Sequence, residues 1–316
     1  MLISPQSTSM LISQGDSTNS IFILTVNYYC SDLVSSLFES VADQDVGNVY
    51  YVIVDNSMHD PGLDALATQP GTTVIRAERN LGFGSGCNLG LDYIESISPS
   101  AMVWLLNPDA TLLPGAMLRI KSLIKNMRPR VAVIGTQIIA SDGTPWFISG
   151  SFDRLSGSFD DTSIKPPASN ASNSPLAQPT DWVSGCSMLI NLSAFSTPPR
   201  FDPNIFLYYE DAELCLRLRK HGFMIYVTAE PLVKHLVSAT TSKQPRRMRR
   251  FSTFGKLYVI LRHGTLMALL INVIYLPAKL AVSLRPLGEI IGCLEGIQDF
   301  VIWLTNALRR KLASGN

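Results

Sequence analysis

From residue 21 to residue 228 the chain alternates between short apolar blocks and longer stretches with helical spacing. Residues 21–26 (IFILTV), 49–54 (VYYVIV), 73–76 (TVIR), 102–106 (MVWLL) and 131–139 (VAVIGTQII) read as strands, most of them buried on both faces. Residues 32–42, 61–67, 85–97 and 114–127 read as helices, with Asp32 and Ser85 near their N-termini and Pro114 at a helix start. Such alternation predicts an α/β fold with a mostly parallel sheet covered by helices. Ligands of such sheets bind beyond the carboxyl ends of the strands, so the strand ends are where chemistry is expected.

The rhythm breaks over residues 141–180, which are rich in Gly, Ser, Asp, Pro and Asn and read as a long loop or hairpin, either a lid or a surface insertion. It resumes with a strand over 183–190, a helix over 211–221 closed by Gly222, and a strand over 224–228. The tail differs in kind. Residues 243–250 (KQPRRMRR) precede two apolar, helix-compatible stretches, 251–284 and 287–312. The longest uncharged run, 264–278, contains Pro277 and is shorter than the ~20 residues a spanning helix needs. A pair of helices on a membrane surface is the expectation, with packing on the domain or on a second subunit as the alternative.

Composition sharpens this division. With 46% hydrophobic and 16% charged residues, the 316-residue chain has material for a large core, and disorder is excluded. The net charge of +1 conceals an asymmetry: residues 243–316 hold 12 Lys/Arg against 3 Asp/Glu, leaving an acidic body ahead of a basic tail. A basic, apolar tail suits an anionic membrane surface, and its apolar runs argue against nucleic acid. The cysteines Cys30, Cys87, Cys186, Cys215 and Cys293 form no CxxC pair, so a reducing compartment is expected and a zinc site is not. Residues 1–20 do not read as a secretory signal. The organisation expected is therefore a flexible extension (1–20), a catalytic domain (21–242) and a helical tail (243–316) that associates with a membrane or forms a dimer.

Five motifs carry candidate chemistry. Asp55-Asn56 ends the second strand, where a carboxylate can accept from a nucleobase or ribose, or simply close an Asx-turn. The stretch from Arg79 and Asn80 through Gly82 and Phe83 to Asn88 is glycine-rich and opens a helix, suiting close approach to an anion. It matches neither the dinucleotide fingerprint nor a P-loop. Asn107-Pro108-Asp109 stops a buried strand at a carboxylate that can hold Mg²⁺ together with water and diphosphate, and an Asn-Pro-Asp turn is its structural alternative. Glu210 and Asp211 follow aromatic residues at a helix start, the environment of a general base, although carboxylates also favour that position for the helix dipole alone. Finally, Trp182 and Gly185 bracket a strand start, and His235 comes just after the last strand.

In this order and spacing the motifs resemble the inverting glycosyltransferases of family 2, and within them the rhamnosyltransferase-like branch that builds bacterial surface polysaccharides. The resemblance covers about residues 22–242 and implies a GT-A-like fold. It implies a donor site made of Asn27, Asp55, Asn56, Arg79, Asn80, Gly82, Phe83, Asn88, Asn107 and Asp109, and an acceptor site that includes Trp182, Gly185 and Tyr209. It further implies Mg²⁺ or Mn²⁺ on Asp109 and His235, with Asn107 replacing the first carboxylate of the family's Asp-x-Asp, and Asp211 as base beside Glu210. The donor implied is a nucleotide-diphosphate sugar, dTDP-rhamnose first, and the acceptor a saccharide or lipid-linked one. A cytoplasmic protein at the inner face of the plasma membrane is implied. A nucleotide-dependent oxidoreductase and a non-catalytic membrane scaffold are the alternatives from other classes.

Overall fold

Strand β1 (Ile21–Asn27) is buried along its whole length, which accounts for a continuous apolar run where a half-exposed strand would alternate. In the computed structural model, which describes residues 20–44, 47, 49–162, 176–236, 244–283 and 285–314, this strand lies inside a ten-stranded sheet. Strands β2 (Val49–Asp55) and β4 (Met102–Leu106) flank it in parallel, and β3 (Thr72–Arg76) extends the parallel order beyond β2. The crossovers are α1 (Ser31–Ala42), a 3₁₀ turn at Pro61–Leu63 running into α2 (Asp64–Ala67), and α3 (Phe83–Ile97). Helix α3 sits tight on the sheet because Gly90 has no side chain: a Cβ there would lie 2.3 Å from Leu24 Cδ1. These connections leave the carboxyl ends of β1, β2 and β4 open along one edge.

The second half of the domain contains β5 (Ala110–Leu112), α4 (Ala116–Lys125), β6 (Val131–Ala140), β7 (Pro145–Phe147), the β8–β9 hairpin (Ser151–Asp153 and Ser158–Asp160), β10 (Ala177–Pro179), β11 (Ser187–Asn191), α5 (Glu210–Lys220) and β12 (Met224–His235). The sheet order is β10-β12-β6-β11-β4-β1-β2-β3, with β5 added to β12 and β7 to β6. Strand β11 runs against both its neighbours, and β6 and β12 are again parallel to each other. This is the expected α/β architecture, a mostly parallel, GT-A-like sheet with flanking helices and a helical C-terminus.

Three sequence expectations change. The strand expected over 183–190 starts only at Ser187, because the Gly185 N–H is bonded to the Asp211 carboxylate of α5 and the Cys186 carbonyl to the Asn107 N–H instead of to a ladder. The strand expected to end at 228 continues to His235, so His235 is held within a strand instead of following one. The break over 141–180 holds β7 to β10 and the hairpin, while residues 163–175 lie outside the described residues, as do residues 1–19 of the expected N-terminal extension.

The tail forms three helices: α6 (Pro245–His263), α7 (Leu266–Val282) and α8 (Leu287–Ala313). The single helix expected over 251–284 begins earlier, at Pro245, and breaks at Gly264-Thr265, where the Thr265 hydroxyl accepts from the Ala268 N–H at 3.1 Å and caps α7. Helices α6 and α8 run parallel, with Arg246 at Glu295, Arg250 at Asp299, and Phe254 and Tyr258 at Trp303. Tyr258 donates to Asp202 at 2.6 Å and Trp303 Nε1 to Asn204 at 3.0 Å, so α6 and α8 are docked on the catalytic domain.

Candidate functional site

The open sheet edge is organised by side chains that bind backbone. Asn27, at the end of β1, donates to Asp55 (3.3 Å), Ser57 (3.4 Å) and Asp60 (3.1 Å). Asp55 in turn accepts from the N–H groups of Ser57 (3.1 Å) and Asp60 (2.8 Å), and both Asn27 and Asp55 are fully buried. Their carboxamide and carboxylate therefore shape the 55–60 turn, and direct contact with a base would require that turn to move. Asp60, which sequence reasoning passed over, is central here. Burial pushes its carboxyl up, but donors from Asn27, Gly62 and Ser31 outweigh this and hold it below the usual range. The signal was available as Asp60-Pro61, an N-cap followed by proline.

Asn56 clasps the glycine-rich loop. Its Nδ2 donates to Asn80 Oδ1 (3.1 Å) and the Gly82 carbonyl (3.0 Å), and its Oδ1 accepts from the Leu81 N–H (2.9 Å). Gly82 has φ +82°, and a Cβ there would meet the Phe206 carbonyl oxygen at 2.2 Å, so both conformation and space demand glycine. Phe83 N–H donates to the Phe206 carbonyl at 3.0 Å, tying the start of α3 to the segment that leads into Glu210. Asn88, expected to bind donor, has both amide ends committed to Phe201: it donates to the carbonyl at 2.9 Å and accepts from the N–H at 2.8 Å. The structure gives it a locking role because the helix turns it toward the 201 segment. Arg79 is exposed on the loop.

Beyond β4, the backbone N–H of Asn107 bonds the Cys186 carbonyl at 3.0 Å. Antiparallel pairing of β5 with β12 sets Ala110 opposite His235, which brings His235 Nε2 to 3.1 Å from Asp109 Oδ1. His235 is buried, Trp146 packs edge-on against its ring at 4.4 Å, and its Nδ1 has no hydrogen-bond partner among the described residues. A carboxylate and an imidazole so placed fit a divalent cation that takes its other ligands from diphosphate and water. No cluster of three or more such residues occurs among the described residues, so the protein alone supplies an incomplete set.

The acidic pair lies on the other side of the Ser184–Cys186 segment. Asp211 Oδ2 accepts from the Gly185 N–H at 2.8 Å and Oδ1 from its neighbour Ala212 N–H at 2.8 Å. Asn107 is thus linked to Asp211 through the Cys186–Gly185 segment by one backbone hydrogen bond and one backbone-to-carboxylate hydrogen bond. Tyr208 and Tyr209, both with φ near +70°, turn the chain sharply into α5 and drive Glu210 inward. Glu210 is buried with one oxygen unpaired. Burial and the neighbouring Asp211 push its carboxyl up to about 8, and burial also raises Asp211, though the two N–H donors act against that rise. Asp211 is thus the member of the pair that ionises first, and Glu210 holds its proton near neutrality.

Trp182 and Tyr209, expected at the acceptor, are engaged in packing the β8–β9 hairpin: Trp182 donates to the Ser151 carbonyl at 3.2 Å, and both rings meet Phe159 edge-on. Burial raises the Tyr209 hydroxyl to about 12, so it titrates only in strong base.

A sheet of this order, with its polar residues at the carboxyl edge and a carboxylate pair opposite an Asp/His pair, defines a glycosyltransferase of the GT-A class. Residues 20–253 match the model of the glycosyltransferase like family 2, and the chain belongs to that family. It is 26% identical over 211 residues to an N-acetylglucosaminyl-diphospho-decaprenol L-rhamnosyltransferase of Mycobacterium tuberculosis, covering 61% of this chain and 68% of that protein. It is 23% identical to the low-salt glycan biosynthesis hexosyltransferase Agl10 of Haloferax volcanii, covering 64% of this chain and 62% of that one. Among solved structures, GalNAc-T7 with UDP, GalNAc and Mn²⁺ superposes with a TM-score of 0.55 at 13% identity, over 85% of this chain and 58% of that one. A fragment of S. aureus TarS gives 0.53 at 14% identity, over 89% and 80%. These likenesses fix the fold, and family membership sets aside the oxidoreductase alternative.

Proposed function

We propose that the protein transfers a sugar, L-rhamnose from dTDP-rhamnose first, with inversion onto a saccharide or lipid-linked acceptor in bacterial surface polysaccharide synthesis. The similarity to an L-rhamnosyltransferase of Mycobacterium tuberculosis and to a glycan-biosynthesis hexosyltransferase of Haloferax volcanii supports the substrate class. The observation that carries the reading is the hydrogen-bonded bridge from the Asn107 N–H to the Cys186 carbonyl and from the Gly185 N–H to the Asp211 carboxylate, which joins the Asp109–His235 pair to the carboxylate pair.

In this reading the donor's diphosphate lies at Asp109 and His235, while Asn56, Asn80 and Gly82 keep the loop beside it rigid. A bound Mg²⁺ or Mn²⁺ would offset the negative charge that develops on the leaving diphosphate. The acceptor hydroxyl attacks the anomeric carbon from the face opposite the diphosphate. The bond from that carbon to the phosphate oxygen breaks, and Asp211 takes the hydroxyl proton. The Gly185 N–H holds Asp211 in position, and Glu210, protonated, donates a hydrogen bond within the pair or to the acceptor. Membrane association through the tail is part of the same reading, because a lipid-linked acceptor is confined to a surface. Among the described residues no helix is long and apolar enough to cross a membrane.

Replacing Asp211 by Asn tests the base. Transfer is expected to fall by about 10²–10⁴-fold while nucleotide-sugar affinity stays within about twofold. Turnover near the wild-type rate in that variant would remove Asp211 from the role.

A further inference from the structure

The basic run that marks the tail in the sequence is largely neutralised. Arg246 pairs with Glu295, Arg249 with Glu289 at 2.7 Å and Arg250 with Asp299 at 2.5 Å, which together take up every carboxylate of the tail. The docking surface expected there is an interhelical seam between α6 and α8.

Helix α7 has the opposite character. Ala268, Leu269, Asn272 and Leu280 face inward and are buried, as in any amphipathic helix, yet the outward face is apolar too. Met267, Leu270, Ile274 and Val282 are 64%, 53%, 73% and 85% exposed, and Leu266 and Ile271 lie beside them in the open. Contiguous exposed side chains of this size mark an interaction surface rather than a water-facing helix. From residue 264 to residue 288 there is no Asp or Glu, and Lys279 and Arg285 are the only charges.

At the N-terminal end of α7 the surface becomes cationic. Arg154 Nε donates to the His263 carbonyl at 3.0 Å, the Arg154 carbonyl accepts from Thr265 N–H at 3.1 Å, and Lys220 Nζ donates to the Arg262 carbonyl at 2.5 Å. Arg154, Arg219, Lys220 and His263 line a cavity of about 510 Å³, walled by Phe152 and Phe223. Of these cations Arg219 has a carboxylate partner, Asp181 at 2.6 Å. His263 is 4% exposed, and neither ring nitrogen makes a hydrogen bond among the described residues, the nearest acid being Glu213 at 3.6 Å. Burial lowers the Lys220 ammonium most, with Arg154 and Arg262 adding to the effect and Glu213 acting against it.

We propose that α7 lies in the interface of an anionic membrane, its Leu266–Val282 outer face among the acyl chains and a lipid phosphate held in the groove of Arg154, Lys220 and His263. Charge complementarity selects this occupant. In a two-fold contact between copies through the α7 face, Lys279 and Arg285 of both copies would be brought into one interface with no acid in the segment to offset them. An anionic bilayer supplies both an apolar layer and phosphates. Helix α5 then runs from Asp211 at the catalytic edge to Lys220 at the groove, about 14 Å along the helix axis at 1.5 Å per residue. The inference builds on the reading that transfer takes place at a membrane.

The test is flotation of the full chain with phosphatidylcholine vesicles, with and without phosphatidylglycerol. The wild type is expected to float with the anionic vesicles. L270E/I274E, at positions exposed enough to leave folding intact, is expected to lower partitioning at least about tenfold. Lys220→Glu is expected to abolish the preference for phosphatidylglycerol, and Arg247→Gln, in the basic run, to change partitioning by less than about twofold. Wild-type binding by L270E/I274E, or an equal loss in Arg247→Gln, overturns the proposal. So does a sedimenting dimer that L270E/I274E dissociates while no variant binds vesicles. Transfer to a soluble saccharide is measured on the same variants and is expected to be unchanged in L270E/I274E. If the wild type lacks transfer but the vesicle pattern holds, the functional reading fails and the membrane face stands.

Discussion

Glu210→Gln isolates the energetics of the carboxylate pair. The side chain is 4% exposed, one oxygen has no partner, and its carboxyl rises from 4.5 to about 8 on folding. A raised folded pKa means that the native state binds the proton more tightly than the unfolded chain. The stability linked to this group is therefore fully present below about pH 4.5 and is lost as pH rises through about 8. Each unit of separation corresponds to about 1.4 kcal/mol, which puts an upper bound on the order of 4–5 kcal/mol on the loss, reduced to the extent that Asp211 gives up its own charge. Glutamine keeps the shape and cannot ionise. Urea unfolding of both proteins across this range should show the wild type losing stability relative to Glu210→Gln, with the gap widening by up to about 1.4 kcal/mol per pH unit. Parallel curves would refute the reasoning, because they would mean that Glu210 is already ionised in the folded state at neutral pH.

Two further perturbations address the donor side. Asp109→Ala should abolish the response of transfer to Mn²⁺ while leaving the fold intact, since its side chain projects from the turn between β4 and β5 and its side-chain partner is His235; an unchanged metal titration would remove it from the site. Gly82→Ala should destabilise the protein by about 1–3 kcal/mol, measured by urea unfolding, because φ is +82° and the added Cβ would lie 2.2 Å from the Phe206 carbonyl oxygen.

The half of the fold that binds through local periodicity was legible in the sequence. Strands β1, β2, β3 and β4 and helices α1 and α3 fall within two residues of their expected bounds, because buried parallel strands and amphipathic helices announce themselves in pattern. What escaped was long-range. Residues 183–186 look like strand and are not, since Gly185 and Cys186 spend their backbone groups on Asp211 and Asn107. His235 looked like a loop residue because the Glu230–Pro231 irregularity in β12 interrupts the strand pattern before it. The packing partners of Asn88, Trp182 and Tyr209, which are Phe201, Ser151 and Phe159, were not legible because they lie far along the chain. Arg246, Arg249 and Arg250 read as part of a free patch because their carboxylate partners come some 40–50 residues later in α8.

A panel of nucleotide sugars, assayed for release of nucleoside diphosphate with and without Mn²⁺ in the presence of saccharide and lipid-linked acceptors, tests the central claim most directly. Acceptor-dependent release is expected, greatest with dTDP-rhamnose, together with its loss in Asp211→Asn. Absence of acceptor-dependent release with every donor, or release that persists undiminished in Asp211→Asn, would contradict the claim.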